Sequence, residues 1–203
     1  MLKFGKVLDQ LISSLTILPS VGEKTARRMA FHMLCKTPAK AKQLATDLDD
    51  ALNKLKKCRK CRFLCESDYC HYCTSNKRSS GQLCIVEQPT DLINMETFGN
   101  FKGLYFILYG RISHLTGNGP ESLGMDLLQT RLDSEPIKEI IVATSGTVEG
   151  EATGYYIAKL AKKKNIKISR LAYGIPMGGE LDDLDPATLS YAMKLRREFS
   201  EQS

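Results

Sequence analysis

Four cysteines, arranged as two close pairs, constrain the middle of this chain more than any other feature of its sequence. Each pair has two residues between its cysteines, and eight residues separate the pairs. Two intervening residues let both thiolates of a pair reach one ion from a tight turn, and two such pairs complete a tetrahedral sulfur shell with no open position. A closed shell of this kind is structural rather than catalytic. The spacing therefore predicts one structural zinc ion per chain, bound by Cys58, Cys61, Cys70 and Cys73.

The remaining cysteines are predicted to have other roles. The chain has seven cysteines, an odd number for a closed set of disulfides, and chance or redox cysteines are the alternative interpretation of the paired ones. Cys65 breaks the pair spacing and His71 is adjacent to Cys70, so neither is predicted to be a ligand. Cys35 and Cys84 stand in helix-like and strand-like runs, where a free cysteine is typical of the core.

Positive charge is concentrated in the first part of the chain. The net charge is +6, but residues 1–80 carry 16 Lys and Arg against 7 Asp and Glu, a balance of +9, whereas residues 81–203 carry 13 against 16. A basic front part is expected to meet a polyanion, which opposes the interpretation of the chain as a zinc scaffold that never touches DNA. No apolar run approaches the roughly 20 residues that span a bilayer. We therefore expect a cytoplasmic, nucleoid-associated protein without membrane contact.

The first segment, residues 1–53, is predicted to be entirely helical. Apolar residues recur there at the spacing of one helix face, first before LPSVG and again after it. A third helix is predicted to begin with Thr37 as its cap and Pro38 in its first turn, and to end at about Lys57. Its predicted inner face consists of Leu44, Leu48, Leu52 and Leu55.

The rest of the chain changes in composition twice. Residues 54–80 contain cysteines, basic residues and turn residues with little apolar content, as expected of a small zinc finger, which we call the finger. In residues 81–173, strand-like runs alternate with helical runs, which predicts a mostly parallel sheet covered on both faces. Residues 174–203 form a segment with one more helix, beginning near Pro186. The predicted fold class is α+β and multidomain.

The stretch LPSVGEKTARRMAFHML, residues 18–34, is typical of a phosphate-binding helix start. A tight apolar turn ends at Gly22 and opens a helix, so free backbone N–H groups and the positive end of the helix dipole face outward together. Lys24 and Arg28 are four residues apart on one face, where they can follow one phosphate track. An ordinary helical hairpin with a solvated basic face is the alternative. With the charge of the first part, the stretch favours a grip on the DNA backbone that reads no bases.

The stretch ATSGTVEGEAT, residues 143–153, has some of the groups of a metal-dependent active site. Glu149 and Glu151 lie between a strand-like run and a helical run, and hydroxyls stand at Ser145 and Thr147 where a metal enzyme would have further acids. The P-loop pattern G-x4-G-K-[ST] is absent from the sequence, so an ATPase is not predicted.

Several motifs follow one another in a specific order along the whole chain. LPSVG-x-K-x-A-x-R, which is similar to the helix-hairpin-helix of DNA-binding proteins, precedes the four cysteines, and GQLCIVEQPTDL, TVEGEAT and YGIPMGGELDDLDPATL follow them. In this order the chain resembles the RecR family of recombination mediator proteins. The resemblance implies a helix-hairpin-helix domain (1–53), a four-cysteine zinc finger (54–80), a Toprim domain (81–173) and a C-terminal segment (174–203).

The resemblance also implies a function and partners. The family acts in DNA recombination and in the repair of DNA damage, and its chains assemble as a ring-like homotetramer that clamps single- and double-stranded DNA. Its partners are RecO and RecF, through which RecA is loaded on single-stranded DNA. Residue by residue, the basic DNA contacts fall on Lys24 and Arg28, the zinc ligands on the four paired cysteines, and the Toprim glutamate on Glu87. Position 65, often a Thr in the family, is Cys65 here, and its replacement of a zinc ligand stays open.

The resemblance makes the acidic stretch interpretable. Catalytic Toprim domains of topoisomerases and primases hold Mg²⁺ with a Glu after the first strand and an Asp-x-Asp after a later one, because phosphoryl chemistry needs converging carboxylates. Here Ser145 and Thr147 stand at the two Asp positions, which predicts a protein that is not an enzyme. The retained carboxylates are predicted to dock a basic surface of RecO; they are Glu87, Glu149 and Glu151.

Docking is not the only role predicted for this stretch. Glu149 and Glu151 are also expected to favour the N-terminus of the helix that follows. Weak binding of a divalent ion is a second possibility. The third is a metal-dependent Toprim nuclease or topoisomerase-like enzyme, against which the missing Asp-x-Asp counts.

Overall fold

A computed structural model of the protein describes residues 4–78, 81–99, 101–113, 115, 117–172, 174–176 and 178–196. The chain divides into two compact units, residues 1–55 and residues 56–203. The helices are α1 (Lys6–Leu15), α2 (Glu23–Cys35), α3 (Pro38–Lys54), α4 (His71–Thr74), α5 (Pro89–Phe98), α6 (Met125–Ser134), α7 (Val148–Lys163) and α8 (Pro186–Lys194). The strands are β1 (Lys56–Lys57), β2 (Leu64–Cys65), β3 (Gln82–Val86), β4 (Leu104–Ile107), β5 (Glu139–Ala143) and β6 (Lys167–Arg170).

Helices α1, α2 and α3 make up unit 1–55, which confirms the prediction of a helical first segment. Its core is small and centres on Ile12 of α1 with Ala26 and Ala30 of α2, and both alanines are fully buried. The short alanine side chains let α1 and α2 approach closely. Partly buried apolar residues surround this core, namely Leu8, Leu11, Leu15 and Val21.

The predicted burial of one face of α3 is wrong. No residue of α3 is buried, and the side chains of Leu44, Leu48 and Leu52 are 58%, 58% and 74% exposed. Leu55, which follows the helix, is also exposed. Helical periodicity indicates an apolar face but not a surface that covers it, and within this unit the buried core lies between α1 and α2.

Three further details of this unit differ from the sequence-based expectation. Helix α3 ends at Lys54 rather than at about Lys57, because the chain continues directly into β1 of the finger. Thr37 stands at the N-cap position but makes no side-chain capping hydrogen bond. Cys35 is exposed rather than buried, since it lies nine residues, or two and a half turns, after the buried Ala26 and so faces the other side of α2.

Unit 56–203 is built on a four-stranded parallel sheet with the strand order β4-β3-β5-β6. Alternate residues of the central strand β3 point to opposite faces, so Leu83 and Ile85 belong to one cluster and Cys84 and Val86 to another. All four are fully buried, and burial raises the pKa of the Cys84 thiol to about 12. The core position predicted for Cys84 is therefore confirmed.

Both faces of the sheet are covered, as the alternation of strands and helices predicts. Helices α6 and α7 cover one face with residues such as Leu128 and Ile157. Helix α5 covers the other with Leu92, and Phe63 and Tyr72 of the finger pack beside it. The finger therefore helps to cover one face of the sheet.

The finger begins with a short antiparallel pairing of β1 with β2, in which Lys56 faces Cys65. The last segment contains a 3-10 turn, Leu181–Asp183, and α8, whose predicted start near Pro186 is confirmed. The Asp185 side chain caps α8 by accepting hydrogen bonds from the backbone N–H groups of Ala187 and Thr188. In the described part of the chain no helix is long and apolar enough to cross a membrane.

Candidate functional site

The four paired cysteines come together as the sequence predicts. Their sulfur atoms all lie within 4.8 Å of one another, and Cys58, Cys61 and Cys70 are buried. A tetrahedral zinc site with Zn–S bonds of about 2.3 Å has sulfur atoms roughly 3.8 Å apart, so the cluster needs little adjustment to close around an ion. Backbone N–H groups point at two of the sulfurs, from Cys70 to Cys58 Sγ at 3.3 Å and from Phe63 to Cys61 Sγ at 3.4 Å.

The electrostatics of the cluster favour a thiolate inside it. The Sγ atoms of Cys61 and Cys70 are 3.3 Å apart, and the hydrogen bond between them lowers the pKa of Cys70 and raises that of Cys61. Thiolates are the form of cysteine that binds metal, and four soft donors suit a metal of the zinc class. The cluster can therefore hold a metal ion in a closed sulfur shell.

Cys65 packs beside this cluster without joining it. Its thiol donates a hydrogen bond to the Ser67 carbonyl oxygen at 2.9 Å, and its sulfur is not among the four that lie within 4.8 Å of one another.

The segment around the first cysteine pair, residues 58–62, which we call the first knuckle, lies along the outer edge of β4. Strand β4 is an edge strand of the sheet. The Ile107 backbone N–H donates a hydrogen bond to the Cys61 carbonyl oxygen at 3.0 Å. A neighbouring strand of the sheet would accept a hydrogen bond from Ile107 in the same way. Arg62 continues the contact, since its guanidinium donates to the carbonyl oxygens of Ile107 and Leu108, both at 3.1 Å. The Tyr109 hydroxyl in turn donates to the Arg62 carbonyl oxygen at 2.8 Å.

The buried side chain of Arg131 of α6 also binds the first knuckle. The side chain is 3% exposed, and its guanidinium donates to the carbonyl oxygens of Lys60 at 3.1 Å and Tyr105 at 2.6 Å. Glu135 balances the charge, with ion pairs of 2.8 Å to both Arg131 and Lys60. Burial raises the Glu135 pKa, but the hydrogen bonds from Lys60 and Arg131 outweigh it and the pKa is lowered. Nothing in the sequence pattern pointed to these contacts of Arg62 and Arg131 with backbone carbonyl groups, because they join residues 26 to 71 positions apart.

The predicted DNA contacts, Lys24 and Arg28, lie in one open hollow of unit 1–55. The hollow, which we call the basic hollow, has a volume of about 640 Å³ and is lined by Phe4, Lys24, Arg27, Arg28 and Phe31. Gly22 immediately precedes α2 as its N-cap and offers no side chain to the free N–H groups of the first turn. Arg27 is an addition that helical spacing from Lys24 could have indicated. Among the described residues, no carboxylate forms an ion pair with these three cations.

At the carboxyl ends of β3 and β5, Glu87 meets the two hydroxyl residues of the acidic stretch and an arginine. Glu87 Oε1 accepts hydrogen bonds from the Ser145 backbone N–H at 2.8 Å and from Ser145 Oγ at 3.0 Å. The Arg111 guanidinium donates to Ser145 Oγ at 3.1 Å and Thr147 Oγ1 at 3.0 Å. Arg111 Nε lies 3.6 Å from Glu87 Oε2. Sequence reasoning assigned no role to Arg111, although its position just after β4 places it at the edge where parallel strands build sites.

Glu149 and Glu151 lie in the first turn of α7, and they have different environments. The Thr147 side chain caps the helix by accepting from the Gly150 N–H at 3.2 Å, and a side chain at Gly150 would collide with the Ser145 carbonyl oxygen. Glu151 forms an ion pair with Arg170 of β6. No ion pair of the described residues involves the partly exposed Glu149 carboxylate.

The structure does not gather Glu87, Glu149 and Glu151 into a metal site. In the part of the chain that it describes, the four cysteines are the one group of three or more His, Cys, Asp or Glu close enough to share an ion. The hydroxyls of Ser145 and Thr147 are neutral, and Mg²⁺ requires oxygen ligands of which carboxylates are the usual protein source. The donor set at Glu87 does not fit Mg²⁺.

Comparison with known proteins covers nearly all of the chain. The profile described as "RecR, helix-hairpin-helix" matches residues 8–52, the Toprim domain profile matches residues 81–172, and the profile described as "RecR, C-terminal" matches residues 174–197. A protein of Hahella chejuensis named recombination protein RecR is 45% identical over 193 residues, which cover 95% of this chain and 96% of the relative. A protein of the same name from Saccharophagus degradans is 46% identical over 196 residues, which cover 97% and 100%.

Proposed function

The chain belongs to the RecR family of recombination proteins, and on that premise we propose that it is a DNA-binding clamp of recombinational repair without catalytic activity of its own. In this role it helps RecO and RecF to load RecA on single-stranded DNA. The observation that carries the proposal is a contrast between two sites. The cations of the basic hollow have no carboxylate partner among the described residues, whereas the Toprim glutamate Glu87 is bound by Arg111.

The DNA grip is proposed for the basic hollow. Lys24, Arg27 and Arg28 present three charges on one side of α2, next to the free N–H groups of its first turn. Phosphate oxygens are the matching ligand for such a set, because cations and helix N-termini both favour negative charge. Contacts of this kind hold any sequence, as loading on DNA of arbitrary sequence requires.

The zinc ion is proposed to be structural, with one ion per chain. The sulfur shell is closed, so it leaves no position for a substrate. The first knuckle is hydrogen-bonded to β4 through Cys61, and the second contributes Tyr72 to the core cluster beside the sheet. An ion at the cluster would therefore stabilise the part of unit 56–203 that covers β4 and one face of the sheet.

The enzymatic alternative is not favoured by the geometry of the Toprim residues. A nuclease or topoisomerase-like enzyme needs carboxylates that converge on divalent ions. Both oxygens of Glu87 are engaged by Ser145 and Arg111, and Glu151 is engaged by Arg170.

Self-assembly is proposed to use the exposed leucines of α3. Leu44, Leu48 and Leu52 follow one another at intervals of four residues, so they form one apolar stripe along the helix. An exposed apolar stripe of this kind is typical of a surface that another protein covers. We propose that a second copy of this chain covers it, since a clamp that surrounds DNA needs more than one copy.

Leu48→Glu should reduce the size of the assembly. Leu48 is the central residue of the stripe, and a carboxylate there would be buried without a partner whenever two chains meet. Sedimentation equilibrium of the variant should give a smaller mass than the unchanged chain at the same concentration. Thr46→Glu, on the opposite side of α3, is the matched control and should leave the mass unchanged. An unchanged mass for Leu48→Glu would show that the stripe is not the assembly surface.

RecO docking is proposed to depend mainly on Glu149. Glu87 and Glu151 are already bound by Arg111 and Arg170, whereas no ion pair of the described residues involves Glu149. Val148 beside it is 83% exposed and adds apolar contact area. A basic surface of RecO can therefore meet Glu149 without first breaking an ion pair of this chain.

Glu149→Lys should weaken the binding of RecO at least about tenfold, because it places like charges at the interface. Isothermal titration of RecO into each variant measures the effect. Glu66→Lys makes the same change of charge at an exposed position of the finger and should leave the affinity unchanged. Equal affinities for the Glu149 and Glu66 variants would exclude Glu149 as the docking residue.

A further inference from the structure

The Toprim site of this chain already contains a positive charge of its own. The Arg111 guanidinium contacts Ser145 Oγ at 3.1 Å, Thr147 Oγ1 at 3.0 Å and the Glu87 carboxylate at 3.6 Å. Ser145 and Thr147 occupy the two positions at which catalytic Toprim domains have aspartates. One guanidinium therefore touches the residues that, in such a domain, would surround the metal.

We propose that Arg111 is the resident cation of this site and that it keeps divalent ions out. The guanidinium of Arg is always charged and carries several N–H donors in a fixed plane. It can therefore satisfy a carboxylate and two neutral hydroxyls at once, whereas a divalent ion binds hydroxyls poorly.

The burial of Glu87 explains why the site needs a cation. The Glu87 side chain is 13% exposed, and a carboxylate that is removed from water without a counter-charge is costly. The two hydrogen bonds from Ser145 satisfy Oε1 but bring no charge. Arg111 supplies that charge for Oε2, and a dication approaching the same oxygen would meet its repulsion.

The hydrogen-bond pattern also separates this role from that of an ordinary surface ion pair. An ion pair between an exposed arginine and one carboxylate contributes little to the free energy of unfolding. The Arg111 side chain is 40% exposed, but it joins residues that follow two other strands, Glu87 after β3 and Ser145 after β5, to its own position after β4. Its removal would leave a partly buried carboxylate facing two hydroxyls, which is the arrangement of a weak site for a hard cation.

Binding of Mn²⁺ to the zinc-loaded protein tests the proposal, with free Mn²⁺ measured by electron paramagnetic resonance. Arg111→Gln should bind one Mn²⁺ per chain at least about tenfold more tightly than the unchanged protein, because the repelling charge is gone. Arg111→Lys, which keeps a cation, should behave like the unchanged protein. Arg111→Gln combined with Glu87→Gln should lose the gained binding, which places the ion at Glu87.

Two results would overturn the proposal. One is tight, stoichiometric Mn²⁺ binding by the unchanged protein that disappears in Glu87→Gln. The other is a folded Arg111→Gln variant, as judged by circular dichroism, that gains no Mn²⁺ affinity. Because the first result uses no Arg111 variant, the proposal stays testable even where Arg111→Gln does not fold.

Discussion

Cys58→Ser should lower the free energy of unfolding by at least about 3 kcal/mol and release the metal, because a structural zinc ion contributes roughly 10–16 kcal/mol of apparent binding free energy in small zinc domains. Cys58 is buried, and its sulfur accepts a hydrogen bond from the Cys70 N–H within the cluster. Its loss opens the sulfur shell and loosens the first knuckle from β4. Urea unfolding followed by circular dichroism, together with metal analysis of one zinc per unchanged chain, measures both effects.

Cys65→Ser is the matched control for this prediction. It removes the thiol that lies beside the cluster, and that thiol donates to Ser67 rather than belonging to the group of four. The variant should keep one zinc per chain and nearly unchanged stability. Loss of zinc from Cys65→Ser together with its retention by Cys58→Ser would assign the fourth ligand to Cys65 and overturn the predicted set.

The double substitution Lys24→Ala and Arg28→Ala should weaken DNA binding at least about tenfold. Each phosphate contact releases counterions, so the logarithm of the affinity should also fall less steeply with the logarithm of salt concentration. The expected change in slope is about 1.8 for double-stranded and about 1.4 for single-stranded DNA, from about 0.9 and 0.7 per contact. Fluorescence anisotropy over a series of salt concentrations gives both numbers.

Lys40→Ala with Lys42→Ala is the control for the DNA variant. It removes the same charge from exposed positions of α3 in the same unit and should change the salt slope by much less. Equal slopes for the two double variants would mean that general charge, and not the basic hollow, holds the DNA. The unchanged protein, incubated with DNA and Mg²⁺, should leave the DNA uncut and its supercoiling unchanged. DNA cleavage or relaxation that is lost in Glu87→Gln would restore the enzymatic alternative.

Local chemistry made much of this protein predictable from its sequence. The four cysteines are recognisable because metal geometry fixes the short spacing within each pair, and the parallel sheet because strand-like runs alternate with helical runs and its central strand β3 is buried on both faces. The start of α8 could be placed because Pro186 is restricted to a first turn. In each case the deciding pattern lies within a short stretch of sequence, although the strands that it identifies pair across distances as long as that from Gln82 to Glu139.

The features that escaped prediction depend on contacts between distant parts of the chain. Arg111 and Ser145 are 34 positions apart, and Arg62 and Ile107 are 45 positions apart, so no local pattern pairs them. The exposure of Leu48 escaped for a different reason, since periodicity describes a face of a helix and not its neighbour. The missed long-range contacts involve arginine side chains, whose reach lets them find partners that spacing does not reveal.

The cover of β4 by the first knuckle has a consequence for how the chain is made. Synthesis proceeds from the N-terminus, so the paired cysteines at positions 58 to 73 leave the ribosome before β3 and β4 do. On the proposed zinc site, a cell that supplies zinc during translation would let the first knuckle fold before the edge of β4 that it covers has emerged. Where zinc is scarce, β4 would emerge with unpaired backbone groups that can recruit strands of other nascent chains. Metal supply at the moment of synthesis would then decide how much of the newly made protein folds and how much aggregates.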